Sequence, residues 1–155
     1  MRHLTVSAPV RAPSGFTLAY VRTYFQERTH GVNATPFSLR LPLYALNAGR
    51  LSVEKPVSIE TRYVSNDDAP DTIQVSWSPE GTMAFPSFDG SLTAKTDGDA
   101  RCLLVLSGSY VAPGGIAGAA FDALLGGNIA RASIEGLLQQ LAAAAEADYR
   151  TRVAL

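Results

Sequence analysis

Cysteine is almost missing from this chain: Cys102 is the only one. An intramolecular disulfide is therefore impossible, and a metal cluster built from thiolates is excluded. Cys102 sits in the apolar run Cys102-Leu103-Leu104-Val105-Leu106, where an inert buried thiol is expected. Histidine is scarce as well, with His3 near the start and His30 in Thr29-His30-Gly31. A catalytic dyad or a metal site needs convergent partners, and the spacing offers neither histidine any. Ser107 and Ser109 show no evident base, and the acids Asp67, Asp68 and Asp71 read as solvated loop residues. No Gly-x-Ser-x-Gly elbow occurs. Gly114-Gly115-x-x-Gly118 is not the dinucleotide fingerprint, and no strand follows it to complete a βαβ unit. No cofactor and no metal are expected.

Charge of one sign is lacking too. Thirteen basic and fourteen acidic residues leave a net charge of −1. No overall basic field invites nucleic acid or an anionic membrane. No uncharged apolar run of about 18 residues exists, so no membrane-spanning helix is expected. The first fifteen residues lack the continuous apolar core of a signal peptide, and a cytoplasmic protein is the expectation.

What remains is ordinary globular material. The chain has 155 residues, 46% of them hydrophobic, which fits one folded domain over 1–155. Its long helix comes last. Asn128, Arg131, Glu135, Gln139 and Glu146 recur at helical spacing as a polar stripe. Ala130, Ser133, Ile134, Leu137, Leu138, Leu141, Ala144 and Ala145 make the opposite, apolar face. The alanine run adds intrinsic propensity. Gly126-Gly127 separates this helix, over about 128–148, from a shorter one over about 115–125.

Before it, strands dominate. Leu4, Val6, Ala8 and Val10 alternate with polar neighbours, and Pro9 suggests an edge position. Residues 16–29 place Leu18, Val21, Phe25 and Arg28 at helical spacing, with Ser14 as a candidate N-cap. Their aromatic and β-branched content keeps a strand open as the alternative. Further alternating runs follow: Phe37 to Leu43, Leu51 to Tyr63, Ile73 to Trp77, Phe88 to Ala94, and Leu104 to Tyr110. The pattern gives an α+β fold, a curved antiparallel sheet of six or seven strands with one face wet and one covered. The C-terminal helix, assisted by the helix at 16–29, is the natural cover. A long twisted sheet around one helix leaves room for a cavity between them.

Aromatic-lined cavities with a few polar groups are the usual small-molecule sites. The candidate lining is Tyr63, Trp77, Phe85 and Tyr110 from the strands, with Ser133, Ile134, Leu137, Leu138 and Leu141 from the helix. Ordinary core packing is the alternative reading of these residues.

Four segments in order carry a resemblance: Trp77-Ser78-Pro79-Glu80-Gly81, Phe85-Pro86-Ser87-Phe88-Asp89-Gly90, Gly108-Ser109-Tyr110 with Pro113-Gly114-Gly115, and Phe121-Asp122-Ala123-Leu124-Leu125-Gly126. They resemble a bacterial branch of the SRPBCC superfamily, the START-like or birch-pollen-allergen-like helix-grip fold. The resemblance implies a deep apolar cavity between sheet and terminal helix. It implies a hydrophobic small-molecule ligand, such as a lipid, sterol, polyketide or hormone. It implies no particular activity, since a shared fold does not fix a function. An enzyme acting in the cavity, as cyclase, dehydratase or hydrolase, is one alternative. It needs polar groups such as Tyr63, Tyr110 or Arg131 to converge. A protein-interaction module, such as a homodimer, is another, and it needs a large exposed apolar patch.

Overall fold

The structure is a computed structural model that describes residues 2–28, 34–42, 52–65, 67–79, 87–111 and 127–154. The elements are β1 (Arg2–Val10), α1 (Ser14–Arg28), β2 (Ala34–Pro42), β3 (Ser52–Val64), β4 (Thr72–Pro79), β5 (Ser87–Thr96), β6 (Cys102–Val111) and α2 (Gly127–Val153). The short helix expected over 115–125 and the turn at Asn47 lie outside the described residues.

The six strands form one antiparallel sheet in the order β1-β6-β5-β4-β3-β2. From β1 at one edge, α1 carries the chain to β2 at the other. Consecutive antiparallel neighbours then step back until β6 pairs with β1. Pro9 thus sits on an edge strand, as its missing N–H requires.

Register places one side chain set on each face. Leu4, Val6, Ala8 and Val10 of β1 are buried, while Thr5, Ser7 and Pro9 are exposed. The same parity buries Ile73, Val75 and Trp77 on β4, and Cys102, Leu104, Leu106 and Tyr110 on β6. A one-residue slip would reverse both faces at once, so the alternation locks the pairing.

The cover comes from two helices. On α2, Ser133, Ile134, Leu137, Leu138, Leu141 and Ala145 are buried, at helical spacing. Arg131 and Gln139 of the polar stripe are exposed. The helix runs five residues past the expected end, to Val153, and Arg150 and Arg152 in its last turn face the negative end of its dipole. On α1, Leu18, Val21, Tyr24 and Phe25 are buried, and the helix reading holds for this segment over Ser14–Arg28. Ser14 is not its N-cap. The Pro13 carbonyl accepts the first helical bond, from the Thr17 N–H at 2.9 Å, and Ser14 Oγ instead meets Thr96 Oγ1 at 2.9 Å.

The close approaches of α2 are to β1 and β2, and to a lesser extent β6. These first two are the opposite edges of the sheet. Laid flat at about 4.8 Å per strand, they would stand about 24 Å apart, while a helix with its side chains is about 10 Å across. Only a strongly coiled sheet brings both edges to one helix. Among the described residues, β3, β4 and β5 are not close neighbours of α2.

Candidate ligand-binding site

The two ends of the concave face differ in chemistry. At the end where β5 hands over to β6, α1 and the second half of α2 close tightly. Cys102 is 1% exposed, and its thiol meets Thr17 Oγ1 at 3.4 Å. Burial pushes that thiol's pKa up, against a smaller lowering from the Thr17 hydrogen bond. Gln140 Nε2 donates to the Tyr24 hydroxyl at 3.2 Å, and the rings of Phe16 and Tyr149 meet at 5.2 Å. Glu146, on the stripe expected to face solvent, accepts the Arg11 backbone N–H at 2.8 Å and ties α2 to the corner after β1.

The other end is aromatic. Pairing aligns Ile59, Trp77, Phe88 and Tyr110 in one row across β3, β4, β5 and β6. The adjoining row carries Gly90 opposite Gly108. Neither glycine has room for a side chain. A Cβ on Gly90 would stand 2.5 Å from the Ser107 carbonyl oxygen and 2.6 Å from Phe88 Cζ. The two glycines open a trough in the concave face, and the Phe88 ring lies in it. Trp77 stacks on that ring with centroids 4.6 Å apart and planes 22° from parallel. Offset stacking of this kind adds about 0.5–1.5 kcal/mol to the burial itself.

Trp77 is 4% exposed, and its Nε1 is, among the described residues, the buried side-chain nitrogen or oxygen that lacks a hydrogen-bond partner. An unpaired buried donor costs about 1–3 kcal/mol. The indole N–H and the Tyr110 hydroxyl are the polar groups of a row whose other members, Ile59 and Phe88, offer only carbon.

The expected lining residues therefore separate. Trp77 and Tyr110 share the aromatic row. Ser133, Ile134, Leu137, Leu138 and Leu141 share the buried face of α2, and Ile134 and Leu138 have no exposed surface at all. A ligand could reach those two only by displacing neighbours. Phe85 lies outside the described residues. Tyr63 stands apart: its position aligns with Leu106 of β6, so Tyr110 is four residues along and three strands across. Its hydroxyl donates to the Asp71 carboxylate, and the Arg22 guanidinium covers its ring at 4.0 Å. The Asp71 hydrogen bond, with desolvation, holds the Tyr63 pKa above its usual value, against a smaller lowering by Arg22. Asp71 is thus a partner of Tyr63, and of Ser65 Oγ at 3.4 Å, rather than a free loop acid. Arg131 is exposed. The polar trio an enzyme was expected to bring together does not converge.

The outer face carries a second correction. His3 Nε2 lies 3.0 Å from Ser107 Oγ, which also meets Thr5 Oγ1 at 2.8 Å. Ser107 does have an imidazole beside it. Both bonds lie on an exposed strand surface, without, among the described residues, the buried orienting acid or donor cradle that activates a serine. The sequence places Phe88 and Gly90 together in one alternating strand run. The trough they form was missed, because it depends on which residue faces which across the sheet.

Hollows lie away from this row. A groove of about 500 Å³ between the helices is lined by Phe16, Tyr20, Tyr24, Glu27 and Asp148. One of about 340 Å³ on the outer face is lined by Glu60, Arg62, Gln74, Ser76 and Asp89. Among the described residues, no three metal-ligating side chains come together, and no helix is long and apolar enough to cross a membrane. The large hydrophobics exposed there are Val111 and Val153, which make no continuous patch.

This architecture has solved counterparts. It is similar to a conserved protein from Geobacillus kaustophilus, with a TM-score of 0.58 and 12% identity over 93% of this chain and 95% of that one. It is also similar to the Zhui aromatase/cyclase from Streptomyces sp. R1128, with a TM-score of 0.51 and 17% identity over 98% and 95%. The fold is helix-grip-like. No protein-family profile and no curated protein matches the sequence. At these identities the likeness speaks for the fold alone.

Proposed function

We propose that residues 1–155 form a single START-like domain of the SRPBCC superfamily that binds a hydrophobic or amphipathic small molecule between the sheet and α2. The ligand class is that of lipids and polyketides, and the setting is the cytoplasm. The observation that carries this reading is the row of Ile59, Trp77, Phe88 and Tyr110 on the concave face, where the buried Trp77 indole N–H has no hydrogen-bond partner. The aromatase/cyclase among the structural neighbours supports the polyketide end of that class. It also supports the second reading, a cyclase-type reaction in the same place. Against that reading, no pair of acid–base groups among the described residues converges on the aromatic row.

Native mass spectrometry of gently purified protein, with analysis of an organic extract, tests the proposal. A stoichiometric co-purified small molecule is the expected result. A protein that stays ligand-free and fails to take up polyketide-like or lipid-like compounds would overturn it. The same spectrum reads monomer against dimer, and a ligand-free dimer would favour the interaction reading instead.

A further inference from the structure

We infer that the Trp77 indole N–H is the hydrogen-bonding anchor of the site, and that the ligand it selects carries a neutral oxygen acceptor on a flat aromatic frame. This rests on the binding reading given above. The residue is nine-tenths buried on the concave face, yet its Nε1 has no hydrogen-bond partner. Buried polar groups are nearly always paired, so an unpaired one marks a place where something else supplies the partner. An indole nitrogen can only donate. Its partner must therefore be an acceptor, which excludes ammonium and guanidinium groups and pure hydrocarbons as the preferred ligand.

Geometry narrows the class further. One face of the indole is taken by Phe88, stacked at 4.6 Å. The N–H lies in the ring plane, so an acceptor reaches it edge-on. The Phe88 ring is itself held down by the Gly90–Gly108 pair, which leaves no room beneath it. The indole is thus fixed from one side, and its donor points along a fixed plane. Polar groups that are pre-oriented in this way discriminate strongly, because a ligand without the matching atom leaves them unpaired. Neighbours in the row, Ile59 and Phe88, offer only carbon. A ketone or phenol oxygen on a planar ring system meets both demands.

The test compares methyl naphthyl ketone with ethylnaphthalene, which have the same outline and differ in the carbonyl oxygen. Trp77 is the sole tryptophan, so its indole N–H gives a single nitrogen-15 resonance. The ketone is expected to move that proton downfield and to bind about tenfold more tightly than the hydrocarbon, one hydrogen bond's worth. Trp77→Phe is expected to abolish the preference for the ketone over the hydrocarbon, as read from backbone amide shifts. Equal binding of both compounds with an unmoved indole proton would overturn the anchor and leave the binding reading standing. Binding of neither would overturn both. Should Trp77→Phe fail to fold, the indole shift in the unaltered protein decides alone.

Discussion

The ring of Phe88 lies over Gly90 and Gly108, which face each other across β5 and β6. This contact fixes the floor of the aromatic row, and it gives a sharp prediction. Gly90→Ala drives a methyl group to 2.5 Å from the Ser107 carbonyl and 2.6 Å from Phe88 Cζ. Backbone cannot give way as a flexible side chain can, so the cost is that of an overpacked core, about 1–3 kcal/mol or more. Urea unfolding measures it. Because Phe88 must lift, the emission of Trp77 stacked above it should shift as well. A stability change below about 0.5 kcal/mol, the usual size for a neutral surface site, would show that the trough is not closed.

Tyr63 and Asp71 predict a pH dependence. The hydrogen bond to Asp71 raises the Tyr63 pKa above its unfolded value of about 10. A group that binds its proton more tightly when folded adds stability at pH values below the unfolded pKa. That increment disappears as pH climbs through the folded pKa. The urea midpoint should therefore fall more steeply above pH 10 in the unaltered protein than in Tyr63→Phe. Parallel curves for the two proteins between pH 9 and 11 would contradict the assignment.

Much of this fold is written in local pattern. Leu4, Val6, Ala8 and Val10 announce β1 and its buried face by simple alternation, and Pro9 announces its edge position. Ile134, Leu138 and Leu141 announce α2 by their spacing. Local pattern is weaker for α1, where Tyr20, Val21, Tyr24 and Phe25 suit a strand equally well, and burial against α2 and β5 decides for the helix. The candidate site was only half legible. Trp77 and Tyr110 could be singled out as aromatics on strands. Their alignment in one row, the Gly90–Gly108 trough and the imidazole of His3 beside Ser107 depend on pairing between residues up to about a hundred positions apart. Such pairing is set by the whole sheet, so no window of sequence contains it.

The loop between β5 and β6 holds a small reserve of stability. Ala100 has φ of +54°, a left-handed conformation that a Cβ disfavours. The loop is otherwise well formed, with the Asp97 N–H donating to the Arg101 carbonyl at 3.0 Å. Ala100→Gly should stabilise the protein by roughly 0.5–1 kcal/mol. Gly98, at φ +84° with open space around it, predicts the opposite sign for Gly98→Ala. Thermal unfolding of the two variants checks both signs together, and equal shifts in one direction would refute the strain argument.

Cys102 makes the closed end of the concave face measurable. It is the one thiol in the chain, it is 1% exposed, and burial raises its pKa. A disulfide reagent attacks the thiolate, so both terms oppose labelling in the folded state. Modification at neutral pH should therefore proceed only through opening, at a rate that reports the opening equilibrium. Leu138 packs with no exposed surface on α2, in the same core. Leu138→Ala should cost about 2–5 kcal/mol, and if the core opens as one unit, labelling of Cys102 should quicken by at least about thirtyfold. Unchanged labelling in a clearly destabilised Leu138→Ala would mean that Cys102 is released by a local movement of α1, the element whose Thr17 touches it. Rapid labelling of the unaltered protein would mean that α1 does not close this end of the sheet at all.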